Sequence, residues 1–301
     1  MTNRREFLKT SGAAATVLAA PATWSEVAMA QAMLPSRPIP GTDESLPIIG
    51  LGNSSVFTSG DMAASLDVIR AFHERGGAYI DCVLVSRFVV AEVAKQMDAG
   101  DDLFLGTYFM DAEESKLRED ARRILETTGK EKLDLAHAWP EFGIENWEMF
   151  RRWKAEGLTK YIGLSRHQSS YYESMMGVME TDTVDFIQVN YSPFEREAEE
   201  RILPMAMDRG IAVNINRPFQ NGDYFKLVRG HELPEWAAEF NANSWAQFAL
   251  KFILSHPAVN CVLTETSNPD HALDNISAGF GAMPDMETRE RIYAHLKSLQ
   301  A

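Results

Sequence analysis

The chain has 301 residues, 45% of them hydrophobic and 24% charged, with a formal net charge of −14. That composition is ordinary for a globular protein able to bury a large core. The acidic balance argues against nucleic acid or an anionic lipid surface as a partner, because both would be repelled.

The chain opens with Asn3-Arg4-Arg5-Glu6-Phe7-Leu8-Lys9, then an alanine-rich run from Gly12 to about Ala22, then Ala28-Met29-Ala30. Paired arginines, a weakly apolar stretch and a small-x-small site make a twin-arginine export signal, with cleavage expected after Ala30. The apolar run is too short to span a bilayer, so no stable membrane anchor is expected. This reading implies export by the twin-arginine translocase and a periplasmic or extracellular location. Residues 31–45 read as a linker and 46–301 as the folded domain.

From residue 46 onward, short apolar runs alternate with longer amphipathic stretches. Strands are expected at 48–51, 78–83, 103–108, 133–139, 161–165, 186–190, 212–216 and 261–264. Most are almost continuously apolar, as strands covered on both faces must be. Helical periodicity fills the gaps at 62–75, 90–97, 114–127, 147–155, 170–179, 197–208, 244–255 and 270–278, and a last helix is expected at 286–299. In the third of these, Leu117, Ala121, Ile124 and Leu125 fall on one face. Eight strands alternating with eight helices predict a closed parallel (β/α)8 TIM barrel. A doubly wound sheet is disfavoured, since no Gly-x-Gly-x-x-Gly follows the first strand. The longest irregular connection, 220–243, is placed to form a flap over the barrel mouth.

Cys82 and Cys261 fall on the second and eighth strands, which are not neighbours in such a barrel, so both are expected as buried thiols. His137, His167 and His256 lie on separate elements without ligand spacing, and no metal site is expected.

Several segments, in order, resemble the aldo-keto reductase family. They are Ile49-Gly50-Leu51-Gly52, Gly77-Ala78-Tyr79-Ile80-Asp81, and the run from Glu156-Gly157 to Ile162-Gly163-Leu164-Ser165. Phe186-Ile187-Gln188-Val189-Asn190-Tyr191 and the stretch from Thr266-Ser267-Asn268-Pro269 to Asp274-Asn275 continue the likeness. The resemblance implies an NAD(P)-dependent oxidoreductase acting on a small carbonyl or sugar-like substrate. It also implies a catalytic aspartate, tyrosine, lysine and histidine. The tyrosine donates a proton to the carbonyl oxygen as hydride arrives from the nicotinamide.

Only the aspartate is present at its place, as Asp81. Ser86 stands at the tyrosine position, Tyr108 at the lysine position, and Trp139 (or, with one deletion, Ala138) at the histidine position. His137 precedes Trp139 by two residues, so a relocated set of Asp81, Tyr108 and His137 is one candidate for acid–base work. The plainer alternative makes His137 a core residue and Tyr108 a filler of the lysine's space.

The same resemblance gives Ser165, Arg166, Gln188 and Asn216 to the nicotinamide and Asn268 and Asn275 to the cofactor phosphate. No basic partner for a 2′-phosphate accompanies them, and Glu265 and Asp270 are close by. Ser86, Trp139, Asn190 and Arg217 complete a candidate substrate pocket at the strand ends, with Arg166 and Arg217 able to clamp an anion. The replaced catalytic groups keep a second function open, an exported non-redox barrel that binds a polar small molecule.

Overall fold

The structure, a computed structural model, describes residues 32–110, 113–138 and 143–300. The export signal, its cleavage point and Trp139 lie outside these residues.

Eight parallel strands close into a barrel: β1 (Ile49–Leu51), β2 (Tyr79–Cys82), β3 (Phe104–Tyr108), β4 (Leu133–Ala138), β5 (Thr159–Ser165), β6 (Phe186–Asn190), β7 (Ala212–Asn216) and β8 (Cys261–Thr264). Each pairs in register with its neighbour. β8 completes the ring by setting Val262 beside Ile49 of β1 and Cys261 beside Asn214 of β7. The (β/α)8 expectation holds, because strands that are apolar on both faces need cover from helices outside and side chains inside.

The longer helices are α1 (Met62–His73), α2 (Ser86–Gln96), α3 (Glu114–Thr128), α4 (Gly143–Glu156), α5 (Tyr172–Thr181), α6 (Ile202–Arg209), α7 (Trp245–Leu254), α8 (Pro269–Ser277) and α9 (Met286–Ser298), and two five-residue helices lie at Ser55–Ser59 and at Asp223–Leu227, the latter within the connection expected to be irregular. Local chemistry sets their ends. Asp61 accepts a hydrogen bond from Ala64 N to start α1, Ser244 does the same with Gln247 N for α7, and Gly129 at φ 78° stops α3. The helix expected at 90–97 begins earlier, at Ser86, so that Ser86 is its first residue. The segment expected at 197–208 splits into a single 3-10 turn, Glu197–Glu199, and α6.

Two apolar cores result. One lies between strands and helices and includes Phe72, Phe109, Phe150, Trp153 and Phe252. The other fills the lower barrel interior, where Tyr79, Phe104, Tyr161 and Phe186 pack edge-on or tilted, with ring centroids 5.3–6.1 Å apart. Cys82 and Cys261 are free and buried in these cores.

Part of the stretch read as a linker is structured. Ser36–Pro38 pairs antiparallel with Ser45–Pro47, turning through Gly41 at φ 74°. The hairpin drives Ile39 and Leu46 into the lower core. Arg37 ties it down by donating to the carbonyls of Val259 and Leu254, the latter at 2.7 Å. The hairpin is a plug that seals the N-terminal end of the barrel.

Candidate small-molecule site at the barrel mouth

Above the aromatic layer the interior turns polar. Period-two alternation along β2 brings both Tyr79 and Asp81 inward. Asp81 Oδ1 accepts the Tyr79 hydroxyl at 3.2 Å, and Asn214 Nδ2 of β7 donates to the same phenol at 3.1 Å. His137 of β4 completes the group, its Nε2 3.4 Å from the Tyr79 oxygen and 3.7 Å from Asp81 Oδ1. Gly106 makes this approach possible: a Cβ there would lie 2.6 Å from the phenol oxygen and 2.8 Å from Asp81 Oδ1. Tyr79 is a central member that reading the sequence missed. Its signal was there, an aromatic residue two positions before Asp81 on an inward-facing strand.

Burial dominates the electrostatics. It raises the Asp81 carboxyl to about 7, against hydrogen bonds from Gln188, Tyr79 and Tyr108 that pull it down. It lowers His137 to about 3, so the imidazole is neutral. His137 is fully buried, and its Nδ1 has no hydrogen-bond partner among the described residues.

One layer higher, Tyr108 of β3 stacks on His137 with ring centroids 4.8 Å apart. Its hydroxyl lies 2.7 Å from Ser165 Oγ and also bonds to Gln188 Oε1. Ser165 Oγ donates to the same amide oxygen at 2.8 Å, and Asn216 Nδ2 reaches it at 3.2 Å. Burial raises the Tyr108 phenol, with the Asp81 charge next in weight.

Asp81, Tyr108, Ser165, Gln188, Asn216 and Arg217 all line one cavity of about 350 Å³ at the C-terminal ends of the strands, where barrel enzymes keep their sites. Glu265, one residue past β8, lines it too. The surrounding walls raise its carboxyl above the usual range while Arg217 pulls it down. A second groove of about 370 Å³ runs on from Glu265 past Trp245 and His271 to Asp274 and Asn275.

The remaining candidates fall elsewhere. Ser86 is fully buried, its Oγ bonded to Val83 and, at 2.6 Å, to Asn53 Oδ1, and it does not line the cavity. Arg166 is 2% exposed and lays its guanidinium over Tyr171 at 3.8 Å, so it does not join Arg217 in a clamp. Asn190 accepts the Tyr172 hydroxyl at 2.9 Å and faces a side pocket with His167, Glu195 and Arg217. Asn268 caps α8 by accepting from Asp270 N at 2.9 Å. Among the described residues no three His, Cys, Asp or Glu side chains converge as metal ligands.

The family model for the aldo/keto reductase family matches residues 48–292. The chain belongs to the aldo/keto reductase family. It is similar to the aldo-keto reductase YhdN of Bacillus subtilis, with 26% identity over 186 residues, 54% of this chain and 55% of that one. The chain thus matches only about half the length of this curated relative. Solved structures extend the likeness in fold. The holo form of aldo-keto reductase AKR11C1 from Bacillus halodurans superposes with a TM-score of 0.69 at 20% identity, covering 88% of this chain and 96% of its own. An aldo-keto reductase from Klebsiella pneumoniae in complex with NADPH gives 0.67 at 19%, covering 89% and 95%.

Proposed function

We propose that this family member binds a small polar molecule at its barrel mouth and does not carry out nicotinamide-dependent carbonyl reduction. One observation carries this reading. The Tyr108 hydroxyl bonds to Ser165 and Gln188, the two side chains that the family resemblance gives to the nicotinamide carboxamide. A carboxamide would have to displace a buried phenol from both partners, at about 0.5–1.5 kcal/mol for each hydrogen bond lost.

The rest of the site agrees. Among the described residues no ammonium lines the cavity, and the serine at the tyrosine position is buried and turned toward Asn53. At the phosphate end, the groove is lined by Glu265, Asp274 and His271, with no arginine or lysine among the described residues that line it. Carboxylates there repel the groups that a dinucleotide would bring. The residues present do not fit NAD(P).

The second reading is reduction through Asp81, Tyr108 and His137. The convergence of those three favours it, as does the NADPH complex of the Klebsiella relative. Two facts weigh against it. His137 is sealed beneath Tyr108, and a phenol whose pKa is raised by burial is a poor proton donor at neutral pH. The N-terminal motif supports export by the twin-arginine translocase, and a ligand-binding role needs no nucleotide outside the cytoplasm.

Titrating the purified protein with NADPH and NADH, followed by fluorescence and thermal shift, tests the proposal. No change in Tm is expected at 1 mM nucleotide. Micromolar binding of either, which raises the Tm by mass action, would overturn it.

A further inference from the structure

Arg217 follows β7 with φ at 51°, and Gln220 and Asn221 are left-handed too, at 49° and 56°. Backbone held this way is strained in a non-glycine residue and persists where surrounding structure demands it. Here it delivers the half-buried guanidinium into the wall between the central cavity and a neighbouring groove. Arg217 makes no side-chain hydrogen bond or ion pair with any described residue. A guanidinium offers five donors in a rigid fork and rarely goes without a partner at such a place.

Glu265 lines the same two spaces. The Arg217 charge pulls the Glu265 carboxyl down, yet no ion pair joins them. The neighbouring groove, of about 380 Å³, is a normal size for one small molecule. Its other wall is apolar: Pro218, Phe219 and Phe225, with the two phenyl rings 4.7 Å apart and Phe225 40% exposed.

A ligand with only a carboxylate meets Arg217 but is repelled by Glu265. A ligand with only an ammonium meets the reverse. A molecule carrying both charges and an apolar body satisfies all three walls. We infer that this groove binds a free α-amino acid with an apolar or aromatic side chain. Its carboxylate sits on Arg217, its ammonium on Glu265, and its side chain against Phe219 and Phe225. The inference rests on reading the mouth as a small-molecule site, and it names the ligand class.

Calorimetric titration of the full chain with L-phenylalanine and L-leucine tests it, alongside 3-phenylpropionate, which lacks the ammonium, and phenethylamine, which lacks the carboxylate. L-phenylalanine or L-leucine should bind, and each single-charge analogue should bind at least ten-fold more weakly. Arg217→Met should weaken the amino acid and phenylpropionate ten-fold or more. Glu265→Gln should weaken the amino acid and phenethylamine but spare phenylpropionate. Arg217→Lys, which keeps the charge and loses the fork, should fall between. Equal affinity for amino acid and phenylpropionate would overturn the inference. So would indifference to both substitutions in variants with unchanged Tm, or no amino-acid binding at 10 mM. If NADPH fails to bind as well, only this inference is lost. If NADPH binds instead, the reading of the mouth falls with it.

Discussion

Replacing Asp81 with asparagine should change how stability depends on pH, in a way that can be worked out from the polar cluster. The carboxyl sits at about 7 when folded and near its ordinary value of 3.8 when unfolded. The folded state therefore holds this proton more tightly. Its stabilising contribution is full below about pH 4 and is lost as pH rises through 7. Linkage between those two values removes about 3 kcal/mol from pH 5 to pH 8.5. His137 acts in the opposite sense. Held at about 3 when folded against 6.5 when unfolded, it disfavours the fold at low pH. Over the same interval it returns about 2 kcal/mol. The two partly cancel in the native protein, so together these groups take only about 1 kcal/mol from its stability over that interval. Asp81→Asn removes the first and leaves the second, because burial alone sets the His137 value. The variant should therefore gain about 3 kcal/mol on the native protein between pH 5 and pH 8.5. Urea unfolding at the two pH values, read by tryptophan fluorescence, measures the difference, and titrations elsewhere in the chain drop out of it. A native-to-variant gap that stays constant within about 0.5 kcal/mol would show that Asp81 titrates like an exposed carboxylate, and the buried cluster would be wrong.

Gly106→Ala puts a methyl group 2.6 Å from the Tyr79 hydroxyl and should destabilise the protein by about 1–3 kcal/mol, seen as a lowered urea midpoint. An unchanged midpoint would mean that the phenol is free to move. Arg289 is 2% exposed and pairs with Glu199 at 2.6 Å while bonding Ser255 at 2.9 Å. Arg289→Met should cost about 1–3 kcal/mol by removing the donor to the Tyr191 oxygen and one of the two arginines on Glu199, and an unchanged urea midpoint would assign the pair no structural weight.

The barrel was legible because its signal is physical and repeated. Each buried strand must be apolar and each covering helix amphipathic, and the expected strand boundaries fall within about two residues of those observed. What escaped was set by tertiary contact. The hairpin over residues 36–47 has three-residue strands containing Pro38 and Pro47, too short and too proline-rich to stand out. Ser86 was placed at a strand tip, but the chain turns through Leu84 at φ 51° and starts α2 there, which buries the hydroxyl. Arg166 and Arg217 look alike in sequence, yet Tyr171 takes the first and leaves the second facing the cavity. Tyr108 is the instructive residue. Its replacement of a lysine could be read from the chain, but the reach of its hydroxyl to Ser165 and Gln188 is a matter of barrel radius, which no linear pattern records.

The plug beneath the barrel carries a practical consequence. Ala32 and Leu34 meet Arg75 at the same closed end, through bonds of 3.4 and 2.8 Å. Anything tethered ahead of Ala32 therefore departs from the sealed pole, opposite the opening. The molecule can be grafted to a bead, a sensor chip or a fusion partner by that pole with its opening still facing the bulk solution.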